Sequence, residues 1–386
     1  MTERLAGRGQ LLRPLLSIVA GLLLAAIVMQ VSGYNALRAY ASLWSGATGL
    51  QGGSATGPNT IPLGSGHINL FQLAQSLAGV TPLIFTGLAI ALGLRAGLFN
   101  IGAQGQMTVG ALCAAVVGEL GKRNEAGDGS LPPAVHVTLV LLAGAGAGAL
   151  WGALSGLLKA TRGVHEVIST IMLNFIALDI VTYLVTHRFQ DDTPGSMAAQ
   201  SSLMAKSSWL WPYVNGSNLT AGLLLALLCA AAVAFLIRRT SLGFDIRAVG
   251  LGAEAARAAG VPVGRILVTT MALSGALAGL AGAIQVMGLY HRYVEGVAGS
   301  YGFDGIAVAL LGNLSGGGVV LSALFFGSLA VGAGFMETNT NVPAPISVIV
   351  QAIVIVFVGM RLRPRQIAPL TAPEPEPQRK EDDAAL

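Results

Sequence analysis

Charge is what this chain has least of: only 10% of its 386 residues are Asp, Glu, Lys or Arg, against about a quarter in ordinary soluble domains. That scarcity excludes a conventional water-solvated globule. Cysteine is nearly absent as well. Cys113 and Cys229 lie far apart inside apolar runs, which excludes both a disulfide framework and a zinc site. No G-x-x-x-x-G-K-[ST] loop occurs, so the chain has no phosphate cradle of that type for ATP. No paired carboxylates, metal-ligand cluster or nucleophile–base set stands out, so no catalytic residue, metal or cofactor is expected. What remains is 53% hydrophobic residues, a mean hydropathy of +0.69 and 52 glycines. Apolar runs of about 17 to 25 residues recur along the chain, each long enough to cross a bilayer core as a helix. The reading is an all-α polytopic membrane protein with lipid as its solvent. The net charge of +4 does not point to nucleic acid, because the basic residues cluster at the ends of apolar runs.

Spans are expected near 14–31, 72–93, 98–118, 134–158, 167–187, 219–237, 266–289, 303–314, 318–336 and 346–360. The first follows Arg4, Arg8 and Arg13 without a small-residue cleavage site, and reads as a retained span. Arg95, Lys159, Arg162, the basic stretch Arg238 to Arg265 and Arg361, Arg363 and Arg365 all belong inside by the positive-inside rule. Both termini are then cytoplasmic, which requires an even count, so ten spans are expected. The stretch 303–314 is too short to cross straight, and reads as a broken helix shielded from lipid beside a cavity. The domain plan is a cytoplasmic N-terminus at 1–13 and a transmembrane domain at 14–360, carrying a cytoplasmic loop at 238–265. A Pro-rich tail at 361–386 follows, and is expected to be disordered.

Inside that loop, Gly252 and Gly260 bracket Ala253–Ala259, with Pro262 just beyond. Gly past a helix followed by Pro is a stop signal. Glu254 in the first turn and Arg257 in the last both suit the helix dipole. A short charged helix on a membrane face is well suited to docking a partner protein. Three amides, Asn100, Gln104 and Gln106, crowd Leu94–Gly110, and Asn174 lies two turns into a later span. Buried amides must find partners: they either tie helices together or line a wet path. Phe99, Phe175, Tyr301 and Phe303 offer stacking faces. Glu166 reads as an acid pairing with local bases at a helix start. Asp179, near mid-span, is the one residue that would support proton-coupled transport. Glycines in Gly144–Gly156 and Met271–Gly288 read as close-packing faces, and Leu314–Gly318 (LSGGG) as a flexible turn.

Taken together, LRAGLFNIGAQGQ, GVHEVISTIMLNFIAL, RRTSLGFDIRAVGLGAEAARAAGV, LSGALAGLAGAIQV and YGFDGIAVALLGNLSGGGVV resemble the permease subunits of ATP-binding-cassette importers. The match is to the family handling simple sugars, nucleosides and branched-chain amino acids, over roughly residues 70–360. The nearest likeness is to nucleoside (guanosine-type) permeases, with Gln104 where they typically carry Glu and His165 where they carry Asn. The resemblance implies that Gly250–Val261 is a cytoplasmic coupling helix, with Arg247, Gly250, Glu254, Ala256, Arg257 and Gly260 serving the coupling. It implies a separate ATPase subunit, a second permease subunit (identical or related), an extracytoplasmic substrate-binding protein and a bacterial inner membrane. Phe99, Asn100, Gln104, Gln106, Asn174 and Phe303 are the candidate path residues. A simple-sugar permease is the alternative within the family, and a secondary transporter using Asp179 the alternative outside it.

Overall fold

The computed structural model describes residues 19–52, 59–63, 66–123, 129–191 and 199–340, with a few positions between 342 and 356. The segments 1–13 and 361–386, and most of the expected span 346–360, lie outside the described residues. Among the described residues, six helices are long and apolar enough to cross a bilayer: α3 (Leu70–Arg95), α5 (Pro133–Arg162), α6 (Glu166–His187), α7 (Gly222–Arg239), α10 (Val263–Gln285, continued by a π-turn to Tyr290) and α12 (Gly316–Thr340). Shorter apolar helices are α1 (Val19–Val31) and α11 (Tyr301–Leu311), and α4 (Ala103–Gly118) is a further short helix between α3 and α5. These nine helices overlap the first nine expected segments, and six of them have the length and apolar composition of a membrane span. The polar hairpin α8 (Ser241–Leu251) and α9 (Ala253–Ala258) separates α7 from α10.

Two elements depart from expectation. The segment 32–71, expected as a loop, forms α2 (Ala36–Thr48) and a small antiparallel sheet of β1 (Leu50–Gly52), β2 (Thr60–Leu63) and β3 (Gly66–Asn69), in the order β1-β3-β2. Pairs such as Gln51 with His67 and Ile61 with Ile68 set the register. Asn69 ends β3 and caps α3, its side-chain oxygen accepting from the Gln72 amide at 3.3 Å. The LSGGG run is not a flexible turn throughout. The turn occupies Gly312–Ser315, and Gly316–Gly318 open α12. There, a side chain on Gly312 would strike the Gly318 backbone at 2.6 Å.

Helix α3 runs from the end of β3 to Arg95, whose carbonyl meets Gly250 of α8, so the sheet and the α8–α9 hairpin lie at opposite ends of α3. Gly144, Gly148 and Gly152 on α5 face Gly275 and Gly279 on α10, and a Cβ on Gly148, Gly275 or Gly279 would run into a facing carbonyl. With lipid as apolar as leucine, helices associate through such close van der Waals contact. Helix α3 is the most enclosed span, packing against α2, α7, α10, α11 and α12.

The sheet end is tied together by polar contacts. The backbone of Ser201, Met204 and Glu295 bonds between the segments 199–204 and 291–295. Arg292 pairs with Asp191 at 2.8 Å, and His291 stacks on Trp209 at 3.9 Å. His136 bridges Ser207 at 2.8 Å and the Val117 carbonyl at 3.1 Å. Beside this belt, Glu119 follows α4 with Oε1 buried and unpaired among the described residues. Burial pushes its carboxyl up to about 7, Asp191 adds to the shift and Lys122 opposes it.

Two outcomes follow from this packing. Gly279→Val drives a branched side chain into α5 backbone, an overpacking cost of roughly 1–3 kcal/mol or more. It should abolish the monodisperse peak in size-exclusion of detergent-solubilised protein. Gly146→Ala, which points to open space, should leave that peak intact. The protonated Glu119 is favoured by the fold, so stability should fall as pH rises from the free carboxylate range through about 7. Glu119→Gln should remove that fall, melting above wild type at pH 8 and level with it near pH 5.

Candidate substrate cavity and coupling hairpin

Every amide expected to line the path is buried: Asn100 is 0% exposed, Gln104 7%, Gln106 1% and Asn174 4%. Their hydrogen bonds explain why. Asn100 Nδ2 donates to Gln106 Oε1 at 2.9 Å and to Ser274 Oγ at 2.8 Å, while its Oδ1 accepts from the Gly102 amide at 2.9 Å. Ser274 passes its own proton to the Ala89 carbonyl at 2.6 Å. One knot thus joins the α3–α4 turn, α4, α10 and α3. Asn174 accepts from the Gly105 amide at 2.8 Å and donates to the Ile101 carbonyl at 2.9 Å, stitching α6 to the start of α4. In a membrane interior the free amides of a helix start have no water to turn to, so side chains must serve them.

Gln104 has a different partner set. Its Nε2 donates to the Gly299 carbonyl at 2.7 Å, and its Oε1 accepts from the Gly302 amide at 3.0 Å. Gln104 therefore holds both sides of the chain where it enters α11. Of the two aromatic candidates, Phe99 is half-buried and Phe303 is exposed.

The head of α11 stands beside a cavity of about 420 Å³, lined by Gln285, Tyr290, Ser300, Tyr301, Asp304 and Phe326 among others. A second cavity of about 320 Å³, lined by Gln72, Gln75, Asn218 and Thr220 from the sheet end, shares Gly79, Gln285, Leu289, Tyr301 and Val331 with the first. The pair forms one descent from the sheet end to the level of Leu83, about 20 Å down α3 at 1.5 Å per residue. These sizes fall within the roughly 300–1,000 Å³ of small-molecule sites. Gln285 is 9% exposed and lines the cavity together with Tyr301. The Ser300 hydroxyl donates to Asp304 Oδ2 at 2.6 Å. Pro82 has no amide proton, so the Ala78 carbonyl on the cavity wall lacks its helical donor. In the sequence, the shortness of the eighth span and the stacking face of Tyr301 pointed to this place. Gln285 and Asp304 carried no signal of their own.

At the other end, Thr240 caps α8, its hydroxyl oxygen accepting from the Gly243 amide at 3.1 Å. Helix α9 closes with Gly260 at φ +85°, the Gly260 amide reaching the Arg257 carbonyl and the Val261 amide the Ala256 carbonyl, both at 3.0 Å. That is the paired closure that a glycine stop provides. Gly252, by contrast, is extended at φ 178°. Ala256 is buried against the bundle while Glu254 and Arg257 are exposed. Arg247 folds back onto the Gly243 carbonyl at 3.2 Å. Leu251 is 92% and Phe244 61% exposed, apolar side chains standing clear of their own chain on a polar hairpin.

The hairpin is joined to the cavity by a physical chain of contacts. Gly250 sits so close to the Arg95 carbonyl that a Cβ there would overlap it. Arg95 sends Nε and Nη2 to the Leu314 carbonyl, each at 3.2 Å. Leu314 and Asn313 hold left-handed conformations, φ 55° and 50°, a strained choice for leucine. From that turn α11 runs directly back to Asp304 and Tyr301. Elsewhere at this end Glu166 pairs with Lys159 at 2.9 Å, while His165, one of the bases beside it in sequence, stands at 4.0 Å. Asp179 lies on the outer face of α6, away from the cavity lining.

Replacing Gln104 with Leu removes both ties on the head of α11 and leaves two backbone groups unserved, at about 1–3 kcal/mol each. Gln104→Leu should lower uptake at least tenfold at equal membrane abundance. Asn100→Leu, which breaks the knot itself, should instead lower abundance and uptake together, read by quantitative blotting beside a transport assay.

Comparison with known proteins agrees with this architecture. Residues 72–359 match the family described as branched-chain amino acid transport system / permease component. The chain is 39% identical to a guanosine ABC transporter permease protein of Bacillus subtilis, covering 89% of this chain and 90% of that one. It is 33% identical to a nucleoside ABC transporter permease protein of Lactococcus lactis, covering 86% of each. It is 36% identical to a glucose ABC transporter permease protein of Haloferax volcanii, over 71% of this chain and 72% of the other. No solved structure matches. With a family match spanning its helical body and six apolar helices long enough to cross a bilayer, the chain belongs to the branched-chain amino acid transport system / permease component family, and is a multi-pass membrane transport protein rather than an enzyme.

Proposed function

We propose that this chain is a permease subunit of an ATP-binding-cassette importer in a bacterial plasma membrane, and that its solute is a nucleoside. The observation that carries the reading is the continuous link from the hairpin through Arg95 and Leu314 to the head of α11 at the cavity. A separate ATPase subunit grips α9, with Leu251 and Phe244 filling apolar hollows on it and Glu254 and Arg257 fixing orientation. The sheet end faces outward and receives solute from a binding protein. When the ATPase pair closes, the hairpin moves, Gly250 transmits the movement to the end of α3, and Arg95 draws on the α11–α12 turn. The head of α11 shifts, and the cavity changes its access.

The solute assignment draws on the two nucleoside-permease relatives and on the cavity's chemistry. Tyr301, Tyr290 and Phe326 offer faces for a base, while Asp304, Ser300 and Gln285 offer acceptors and donors for hydroxyls and ring edges. The glucose-permease relative supports a sugar as the second reading, since the same polar set serves one.

Two measurements test these assignments. In vesicles holding the whole transporter, Glu254→Lys combined with Arg257→Glu should cut ATP-driven uptake at least tenfold while the spans stay folded. Unchanged uptake and ATPase stimulation would remove α9 from the coupling. Delivery of radiolabelled guanosine, adenosine, uridine and glucose in parallel decides the solute. Uptake of glucose alone would replace the nucleoside assignment with a sugar.

A further inference from the structure

Asp304 stands in the first turn of α11 and Ser300 immediately ahead of that helix, the places where acid and hydroxyl side chains ordinarily serve free amides. Neither is spent that way. The Tyr301 amide donates to the Ala298 carbonyl, and the Phe303 and Asp304 amides both donate to the Ser300 carbonyl. The Gly302 amide donates to Gln104 Oε1 at 3.0 Å. Ser300 makes no side-chain cap bond and gives its proton instead to Asp304 Oδ2 at 2.6 Å. The head of α11 is therefore complete without this pair.

No counter-charge holds the pair either. Among the described residues, Asp304 is the only charged side chain lining the two cavities, and no Lys, Arg or His lines them. Its Oδ1 has no hydrogen-bond or ion-pair partner among those residues, and the side chain is half-buried on the cavity wall. The chemistry this leaves is one-sided. A carboxylate accepts hydrogen bonds and gives none. The Ser300 hydroxyl has committed its proton, so its oxygen also presents lone pairs alone. A solute resting here must bring donors, two of them side by side. The amides higher up, Gln72, Gln75 and Asn218, with Gln285 at the shared waist, each carry a donor and an acceptor and serve the mixed edge of any nucleobase. An acceptor-only corner suits the part of a nucleoside that offers adjacent O–H groups whatever its base, the ribose 2′,3′-diol. Sugars carry adjacent hydroxyls too, so the corner fits both solute readings above.

We propose that Asp304 and Ser300 are the specificity-determining pair of the path and take the vicinal diol of the solute. Asp304 Oδ1 accepts one hydroxyl and Ser300 Oγ its neighbour, while the nucleobase lies toward the amide-rich upper cavity. The inference rests on the importer and solute readings above. It adds that the permease itself tells ribonucleosides from deoxynucleosides, after the binding protein has made its own selection. A phosphate group would meet an uncompensated carboxylate and no cation, so nucleotides are refused at the same corner.

The test uses vesicles holding the whole transporter, with the binding protein loaded to equal occupancy, checked by filter binding, with uridine, 2′-deoxyuridine or 3′-deoxyuridine. Equal loading removes the binding protein's affinity from the comparison. ATP-driven initial uptake of uridine should exceed that of either deoxynucleoside about tenfold or more, as expected for one lost charge-assisted hydrogen bond. Asp304→Asn, compared at equal membrane abundance, should bring both ratios below about threefold, since a neutral amide is the weaker acceptor. Equal uptake of all three by wild type, or unchanged ratios in Asp304→Asn, would overturn the proposal. A fall of guanosine uptake relative to inosine in Asp304→Asn, with ribose discrimination intact, would replace the diol by a contact to the base edge. If Asp304→Asn does not reach the membrane, the wild-type ratios decide together with Ser300→Ala, which should lose one of the two discriminations. Failure of the earlier reading looks different. No ATP-driven uptake of any solute strikes the importer assignment and this pair with it. Uptake of glucose alone strikes the nucleoside, and the ratio of glucose to 2-deoxyglucose then reads Asp304 in the same way.

Discussion

Lipid offers no hydrogen bonds, so any interruption of a span must be repaired by protein, and the break ahead of α11 is built on such a repair. Helix α10 loosens into a π-turn, the chain runs through 291–300, and only then does α11 begin. The exposed backbone is served from both sides. The segment 199–204 bonds residues 291–295 at the sheet end, and Gln104 serves Gly299 and Gly302 lower down. Without those donors and acceptors α10 and α11 would have to merge into an ordinary span, and the cavity at their junction would close. The cavity thus stands beside a chain break that one glutamine on α4 repairs by satisfying two backbone groups on its neighbour.

The glycines supply the other requirement. Gln104 reaches α11 because α4 can lie close to its neighbours, with Gly110 and Gly282 bringing α4 and α10 into near backbone contact. Gly305 does the same between α11 and α3, where a Cβ would meet Thr86 down to its backbone, while Gly87 makes room for the Val308 side chain. Such contacts are rigid, since backbone cannot yield as a side chain tip can. On the proposed coupling route, a displacement entering at Gly250 would meet the α3 backbone directly and reach Leu314 through the Arg95 side chain.

Much of this was legible in the sequence, for reasons that differ from place to place. The spans announce themselves through apolar runs whose length matches the bilayer, and the end of α9 through Gly260 and Pro262. The glycine faces of α5 and α10 follow from their spacing. By contrast, α2 and the three-stranded sheet were hidden in a segment rich in Gly and Ser, where three- and four-residue strands are set by their partners rather than by pattern. The amides were found as a group, but residue type cannot distinguish a wall from a knot. Asn100 and Asn174 proved to be knots because Ser274, Gly105 and Ile101 happen to face them. Gln285, Ser300 and Asp304 come together only because the chain breaks between them. The outward aim of Asp179 depends on which side of α6 meets α4, which no single helix encodes.

The enclosure of α3 has a consequence for how the protein meets its bilayer. Its apolar stretch is 78% buried, against 22–28% for α5, α6 and α7. A helix sheathed by its neighbours does not register a thicker or thinner membrane, because mismatch is felt where side chains touch acyl chains. Tilting forced by bilayer thickness therefore falls on the peripheral helices, which would pivot about a fixed axle. Lipid composition then tunes this protein from its rim inward, and the lining closest to the solute is the last to sense it.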